Sequence, residues 1–226
     1  EKNTDWSTEI KERVFHSFHR VPITVEELQL KETTGTHQRV IDMVAHELIT
    51  KERIEEWKEL PGVAPGVDIS RDIVKLAAIE RHKNTGHVGL GFLGKYGLKK
   101  GAVATSIGHD SHNPVIPGIS AEDMVLAGNR VIENGGGLAI ALEGKVLADL
   151  PLPIGGLMAD EPVEVVDEKL EHMKKLSVEL GISEDIDAFM TLAFISLPVI
   201  PKLRLNTYGV IDVEKHQVVK ARFETE

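Results

Sequence analysis

Apolar and polar positions change period along this chain, and those changes divide it into predicted elements. Val14-Phe15-His16-Ser17-Phe18 alternates like a short strand, and Pro22 to Lys31 reads as a second extended piece. Val40–Val44 predicts a strand, whereas the charged stretch Lys51–Leu60 predicts a short helix or loop, stopped by Pro61-Gly62. Branched residues make Asp72–Ile79 a strand, Gly86–Gly97 follows as a glycine-rich loop, and Ala102–Ile107 reads as a buried strand of small residues. Two helices are marked more firmly. Ser120 offers an N-cap hydroxyl with Asp123 three residues on, Met124, Ala127 and Val131 share a face, and Asn134-Gly135 ends the run. The second starts near Asp160-Glu161-Pro162, and Val163, Val166, Leu170, Met173, Leu176 and Leu180 form its stripe up to Gly181. Between them, Leu138–Leu142 and Lys145–Leu150 flank Glu143-Gly144, a hairpin signal; Phe189–Ser196 and Val210–Val213 predict further strands.

Helices interspersed with hairpins predict an α+β fold of layered mixed or antiparallel sheets with flanking helices. Residues 1–35 are expected to be a connecting segment, or part of a neighbouring β-sandwich, and residues 36–226 the α+β domain. The chain has 226 residues, enough for a sizeable core, and a net charge of −10 with scattered cations. That balance repels phosphate backbones and disfavours nucleic-acid partners. Leu192–Pro201 is too short and too proline-rich to span a bilayer, and Glu1–Asp5 offers no apolar core for a signal peptide. With no cysteine, disulfides and thiolate chemistry are excluded, which fits a cytoplasmic setting.

The chemistry-bearing stretch is Gly108-His109-Asp110-Ser111-His112-Asn113, directly after a buried strand. His109 and His112 with Asp110 suit a metal ion, either imidazole suits acid–base work with Asp110 fixing its tautomer, and the same residue types also build an ordinary polar turn. Gly89-Leu90-Gly91-Phe92-Leu93-Gly94 spells a dinucleotide-binding motif, but Tyr96-Gly97 and Lys99-Lys100-Gly101 follow where a helix would have to begin, so that reading is rejected. Arg81-His82-Lys83-Asn84 reads as a solvated strand end able to meet a polar ligand, and Ser111 lacks the flanking glycines of a hydrolase elbow.

Taken in order, several segments resemble one family. Glu80-Arg81-His82 with Asn84-Thr85-Gly86, then Gly89-Leu90-Gly91-Phe92, His109–Asn113, Asp123-Met124, Asn129-Arg130, Gly135-Gly136-Gly137, Leu150-Pro151-Leu152-Pro153, Gly156-Leu157-Met158, Phe189-Met190-Thr191-Leu192 and Leu197–Pro201 are similar to the microbial adenine deaminases of the amidohydrolase superfamily. The resemblance runs from about residue 36 to residue 223. It implies a full-length protein with a β-sandwich, a metal-binding (β/α)8 barrel and a C-terminal domain matching this chain, which lacks the barrel. It implies hydrolysis of adenine to hypoxanthine and ammonia, with a divalent manganese, iron or zinc centre on the barrel. The family's His-x-His ligands do not occur here, so no metal-binding residue is assigned to this chain. His109, Asp110 and His112 are expected to support that barrel site, and Ser111, Asn113, Gly89 and Gly91 to help bind the substrate. The expected partners are adenine, the barrel domain and further copies of the protein.

Overall fold

The computed structural model describes residues 7–225; the expectation for Glu1–Asp5 lies outside them. Helix α1 spans Thr8–Phe15, with Ser7 as N-cap, Glu9 in the first turn and Arg13 in the last. The predicted strand over 14–18 is therefore corrected: five alternating residues say less than a capped turn with charges suited to both helix ends. The piece over 22–31 is irregular with one short 3-10 turn at Glu26–Leu28.

Strands β1 (His37–Met43), β2 (Thr50–Glu56), β3 (Ile73–Ile79) and β4 (Val88–Gly94) follow. β5 (Ala102–Thr105) and β6 (Val115–Gly118) lead into α2 (Ala121–Glu133), and β7 (Gly137–Leu142) and β8 (Lys145–Pro151) form the expected hairpin. Then come α3 (Val163–Glu179) and α4 (Met190–Ile195), and four short strands close the fold: β9 (Leu203–Asn206), β10 (Gly209–Asp212), β11 (Gln217–Val219) and β12 (Arg222–Phe223). The large sheet runs β12-β1-β4-β3-β6-β5-β7-β8 with β2 beside β1, and the small sheet runs β11-β10-β9. Among the described residues only β1 and β4 pair in parallel, so the sheet is mixed and the α+β expectation holds.

β3 occupies the middle of the large sheet, and all seven of its residues are buried. One face packs under α2, where Ala77, Ile79, Ala104 and Ile116 meet Met124, Ala127 and Val131. Ile23 and Leu28, from the segment expected to be a connector, are buried in the same layer. The opposite face carries Val74, Leu76, Val103 and Ile140 against α3, α4 and the small sheet. Removing each such branched side chain from water contributes roughly 1.5–3 kcal/mol, so this three-layer arrangement is held mainly by apolar burial. Ser120 Oγ accepts from the Asp123 amide at 3.2 Å, the cap read from the sequence. The α3 stripe is buried only in its second half, at Met173 and Leu180, and Val163 stays 72% exposed.

Three further element readings are corrected. The charged run after residue 50 is strand β2, an edge strand whose charges pair across β1: Arg53 Nε donates to Asp42 at 2.8 Å and Arg39 Nε to Glu52 at 2.9 Å. The apolar run after Phe189 is helix α4, begun by Asp187, whose Oδ1 accepts from the Met190 amide at 2.8 Å. A short apolar run has no period to distinguish strand from helix. Finally, the glycine-rich run is strand β4. Its glycines admit the small sheet: a Cβ on Gly89 would collide with the Asn206 carbonyl, and one on Gly91 would sit 2.9 Å from Val210 Cγ2.

Candidate functional site at the histidine-bearing loops

Two loops meet at one end of the large sheet. The first, residues 80–87, joins β3 to β4, and the second, residues 106–114, joins β5 to β6. Because β6 lies between β3 and β5, these loops emerge side by side. Glu80 organises the first loop. Its carboxylate accepts from the amides of His82 (2.6 Å), Lys83 (2.9 Å) and Thr85 (2.9 Å) and from the Thr85 hydroxyl (3.1 Å). Burial alone would raise this carboxyl, but those donors outweigh it and hold its pKa at about 2. Arg81 is 3% exposed, donates to Ser17 Oγ and the Gly155 carbonyl, lies 4.4 Å from the Phe18 ring centroid, and has a buried Nε with no partner. Burial lowers it to about 10, so it remains charged at neutral pH.

The second loop is tied to the first at two points. Asn113 Oδ1 accepts from the Arg81 amide at 3.2 Å, and His82 Nε2 donates to the Ser111 carbonyl at 2.6 Å. It is tied to α4 as well: the His109 amide donates to the Ala193 carbonyl at 2.7 Å, and Ser196 Oγ donates to the His109 carbonyl at 2.9 Å. The His109 imidazole stacks on Phe194 with ring centroids 4.9 Å apart, while its side chain stays 48% exposed. Its Nδ1 donates to Asp110 Oδ1 at 3.3 Å, which leaves Nε2 as the acceptor nitrogen, with no partner among the described residues. His112 sits deeper, its ring centroid 6.4 Å from that of His109, and its Nδ1 is buried without a partner. Burial, then the positive charge of Arg81, lowers the His112 pKa and keeps the ring neutral near pH 7.

His109, Asp110, Ser111, His112 and Asn113 are thus brought together on one loop, with Ser111 exposed and Asn113 buried. Gly89 and Gly91 are buried in β4, where the small sheet packs against them. Reading the sequence missed Phe194, because its segment was taken for a strand. It also missed the structural weight of Glu80 and Arg81, whose polar letters at a strand end look like solvent contact. No group of three or more His, Asp or Glu among the described residues is arranged to hold a metal ion. His109, Asp110 and His112 therefore do not fit a metal centre of their own. The loop can accept a hydrogen bond at His109 Nε2, offer the Ser111 hydroxyl, and stack a flat ligand beside the His109–Phe194 pair.

Comparison with known proteins agrees with the motif order. A family profile described as the adenine deaminase C-terminal domain matches residues 47–217. Adenine deaminase 2 of Carboxydothermus hydrogenoformans is 46% identical over 181 residues, 80% of this chain and 32% of that protein. The adenine deaminase of Kosmotoga olearia is 47% identical over 185 residues (82% and 32%), and that of Lysinibacillus sphaericus 39% over 208 residues (92% and 36%). The chain spans about a third of the length of the curated relatives it matches. Those matches, on a fold without a closed barrel, place this chain in the adenine deaminase C-terminal domain family.

Proposed function

We propose that this chain serves an adenine deaminase, hydrolysing adenine to hypoxanthine and ammonia, as the domain that completes and covers an active site held on a metal-binding barrel. The observation that carries this reading is the His109 imidazole. It is half-exposed, fastened through its backbone to α4 and through its ring to Phe194, and its Nε2 faces no partner among the described residues. A side chain held that firmly while its acceptor stays free is prepared for a group from outside the domain. In the proposed role it accepts from a purine N–H, with Asp110 fixing its tautomer. Ser111 adds a hydroxyl at the same rim, and His112 and Asn113 brace the loop from behind. Gly89 and Gly91 contribute by letting the small sheet support β4, which continues from the first loop. A divalent ion, manganese, iron or zinc, supplies the Lewis acid for water attack when it is bound, and residues outside this chain hold it. Residues 1–35 link the domain to the rest of the protein while Ile23 and Leu28 pack into the domain's own core, further copies of the protein assemble with it, and the setting is cytoplasmic.

The test is a chimera in which this chain replaces the matching third of the Carboxydothermus hydrogenoformans enzyme, assayed by ammonia release from adenine. His109→Ala should raise KM for adenine roughly 10-fold while leaving the thermal midpoint in place, the pattern of lost substrate binding. Turnover by the 226-residue chain alone, or an unchanged KM in the chimeric variant, would sink the reading.

A further inference from the structure

On the α2 side of the large sheet lies a cavity of about 650 Å³. From β3 it takes Lys75, and its walls come from residues 25–33, residues 57–65, Arg222 and the start of α2. Lys75, the third residue of β3, lines it and is only 3% exposed. Its partners in register are Phe92 on β4 and Gly118 on β6, which offer no polar side chain to the ammonium. No hydrogen bond or ion pair joins Lys75 Nζ to any described residue, and burial is the only cause acting on its pKa, which falls to about 8. Lys75 therefore remains mostly charged at pH 7, in a place where a charge without a counter-ion is unfavourable.

The surroundings say what could answer that charge. Glu32, Glu59 and Glu122 line the cavity, yet none pairs with Lys75; Glu59 instead accepts from Trp57 Nε1 at 3.2 Å. Arg222 is already used, its guanidinium 4.1 Å from the Trp57 ring centroid and its Nε donating to the Gly35 carbonyl. The 13-residue helix α2 points its N-terminus at the same space. Ser120 caps the Asp123 amide, and the amides of Ala121 and Glu122 have no acceptor within the helix. Gln29 and Thr33 add uncharged polar groups, and the rest of the wall is mainly apolar, with Leu28, Ala64 and the Trp57 ring among it. The unpaired ammonium of a largely buried lysine, opening onto the cavity, and a positive helix end thus share a room with mainly apolar walls and an acidic rim.

We propose that this cavity is a binding site for a small organic monocarboxylate, its carboxylate on Lys75 Nζ and its apolar body against Leu28, Ala64 and Trp57. The acidic rim selects a single negative charge and turns away phosphate-bearing ligands. The site is separate from the histidine-bearing loops. From Lys75 to Glu80 is five strand positions, about 17 Å along the sheet.

The experiment is isothermal titration of the 226-residue chain at pH 7 with sodium benzoate and sodium hexanoate. Benzamide serves as the uncharged analogue of benzoate, and inorganic phosphate as an anion without an apolar body. At least one carboxylate should bind saturably at a single site, and benzamide should bind at least ~10-fold more weakly. Lys75→Met, which keeps length and gains apolarity, should abolish carboxylate binding while circular dichroism shows an unchanged fold. In the unaltered chain, bound carboxylate should slow reductive methylation of Lys75, read by peptide mass spectrometry. The proposal is overturned if neither carboxylate binds, if benzamide or phosphate binds as tightly, or if Lys75→Met binds undiminished.

Discussion

A lysine in third place of a seven-residue, otherwise apolar strand is the residue in this protein that local physics explains least well. Lys75 interrupts Ile73-Val74-Leu76-Ala77-Ala78-Ile79, and every position of that strand is buried. The sign of its effect on folding follows from the direction of its shift. Its pKa falls from 10.5 in the open chain to about 8 in the fold, so folding favours the uncharged amine. Below pH 8 both states are protonated and the full penalty is present. The penalty is relieved as pH rises from 8 to 10.5, so stability should increase over that window. Removing the amine should therefore stabilise the unliganded protein. Lys75→Met is expected to gain about 2–3 kcal/mol at pH 7 and to flatten the rise between pH 8 and 10.5, measured by urea denaturation at several pH values. A loss of stability at pH 7 would show that Nζ has a partner in solution. Glu80 is the contrasting case, a less deeply buried charge that four donors satisfy.

Elements here are decided by what lies across from them as much as by their own letters. β4 contains three glycines in seven residues, a composition that disfavours a strand, and it is nevertheless buried in the sheet beside β3. The small sheet crosses it where Gly89 and Gly91 have no side chain, which trades strand propensity for a second layer of apolar contact. Gly89→Ala should accordingly cost about 2–3 kcal/mol, because the Asn206 backbone has to move, and a thermal melt of the variant checks this. A midpoint unchanged by the added methyl would mean that β9 and β10 pack elsewhere. β2 shows the same dependence with charges: its Arg and Glu side chains look like a solvated helix until Asp42 and Arg39 of β1 stand opposite them. The caps of α2 and the β7–β8 hairpin lie at the other extreme. Their determinants are within four residues of one another, and both were legible from the sequence.

At the scale of the whole molecule, β3 belongs to both apolar layers, and the two cannot separate without exposing it. Unfolding of the 226-residue chain is therefore expected as one transition, with near- and far-ultraviolet circular dichroism coinciding; two resolved steps would show that the layers on either side of β3 unfold independently. β3 also links the two places where ligands are proposed, with Lys75 along its length and the Glu80–His82 turn just past its end. Among the described residues no helix is long and apolar enough to cross a membrane.

The order of motifs from Glu80 to Pro201, the N-cap of α2, the branched apolar runs of β1 and β3 and the hairpin signal between β7 and β8 were readable in the one-dimensional string, and with them the family and the α+β class. Each depends on neighbours a few residues away or on a linear order of letters, and such information survives without coordinates. The tertiary structure alone decided that the glycine run is a strand beneath a second sheet, that Phe194 stacks on His109 from a helix, and that Lys75 has no counter-charge. Those outcomes depend on pairs such as Gly89 with Asn206 and His109 with Phe194, some 85 to 117 positions apart. No local period or propensity specifies such pairs, because their energies arise only when the sheet register and the layer stacking bring them into contact.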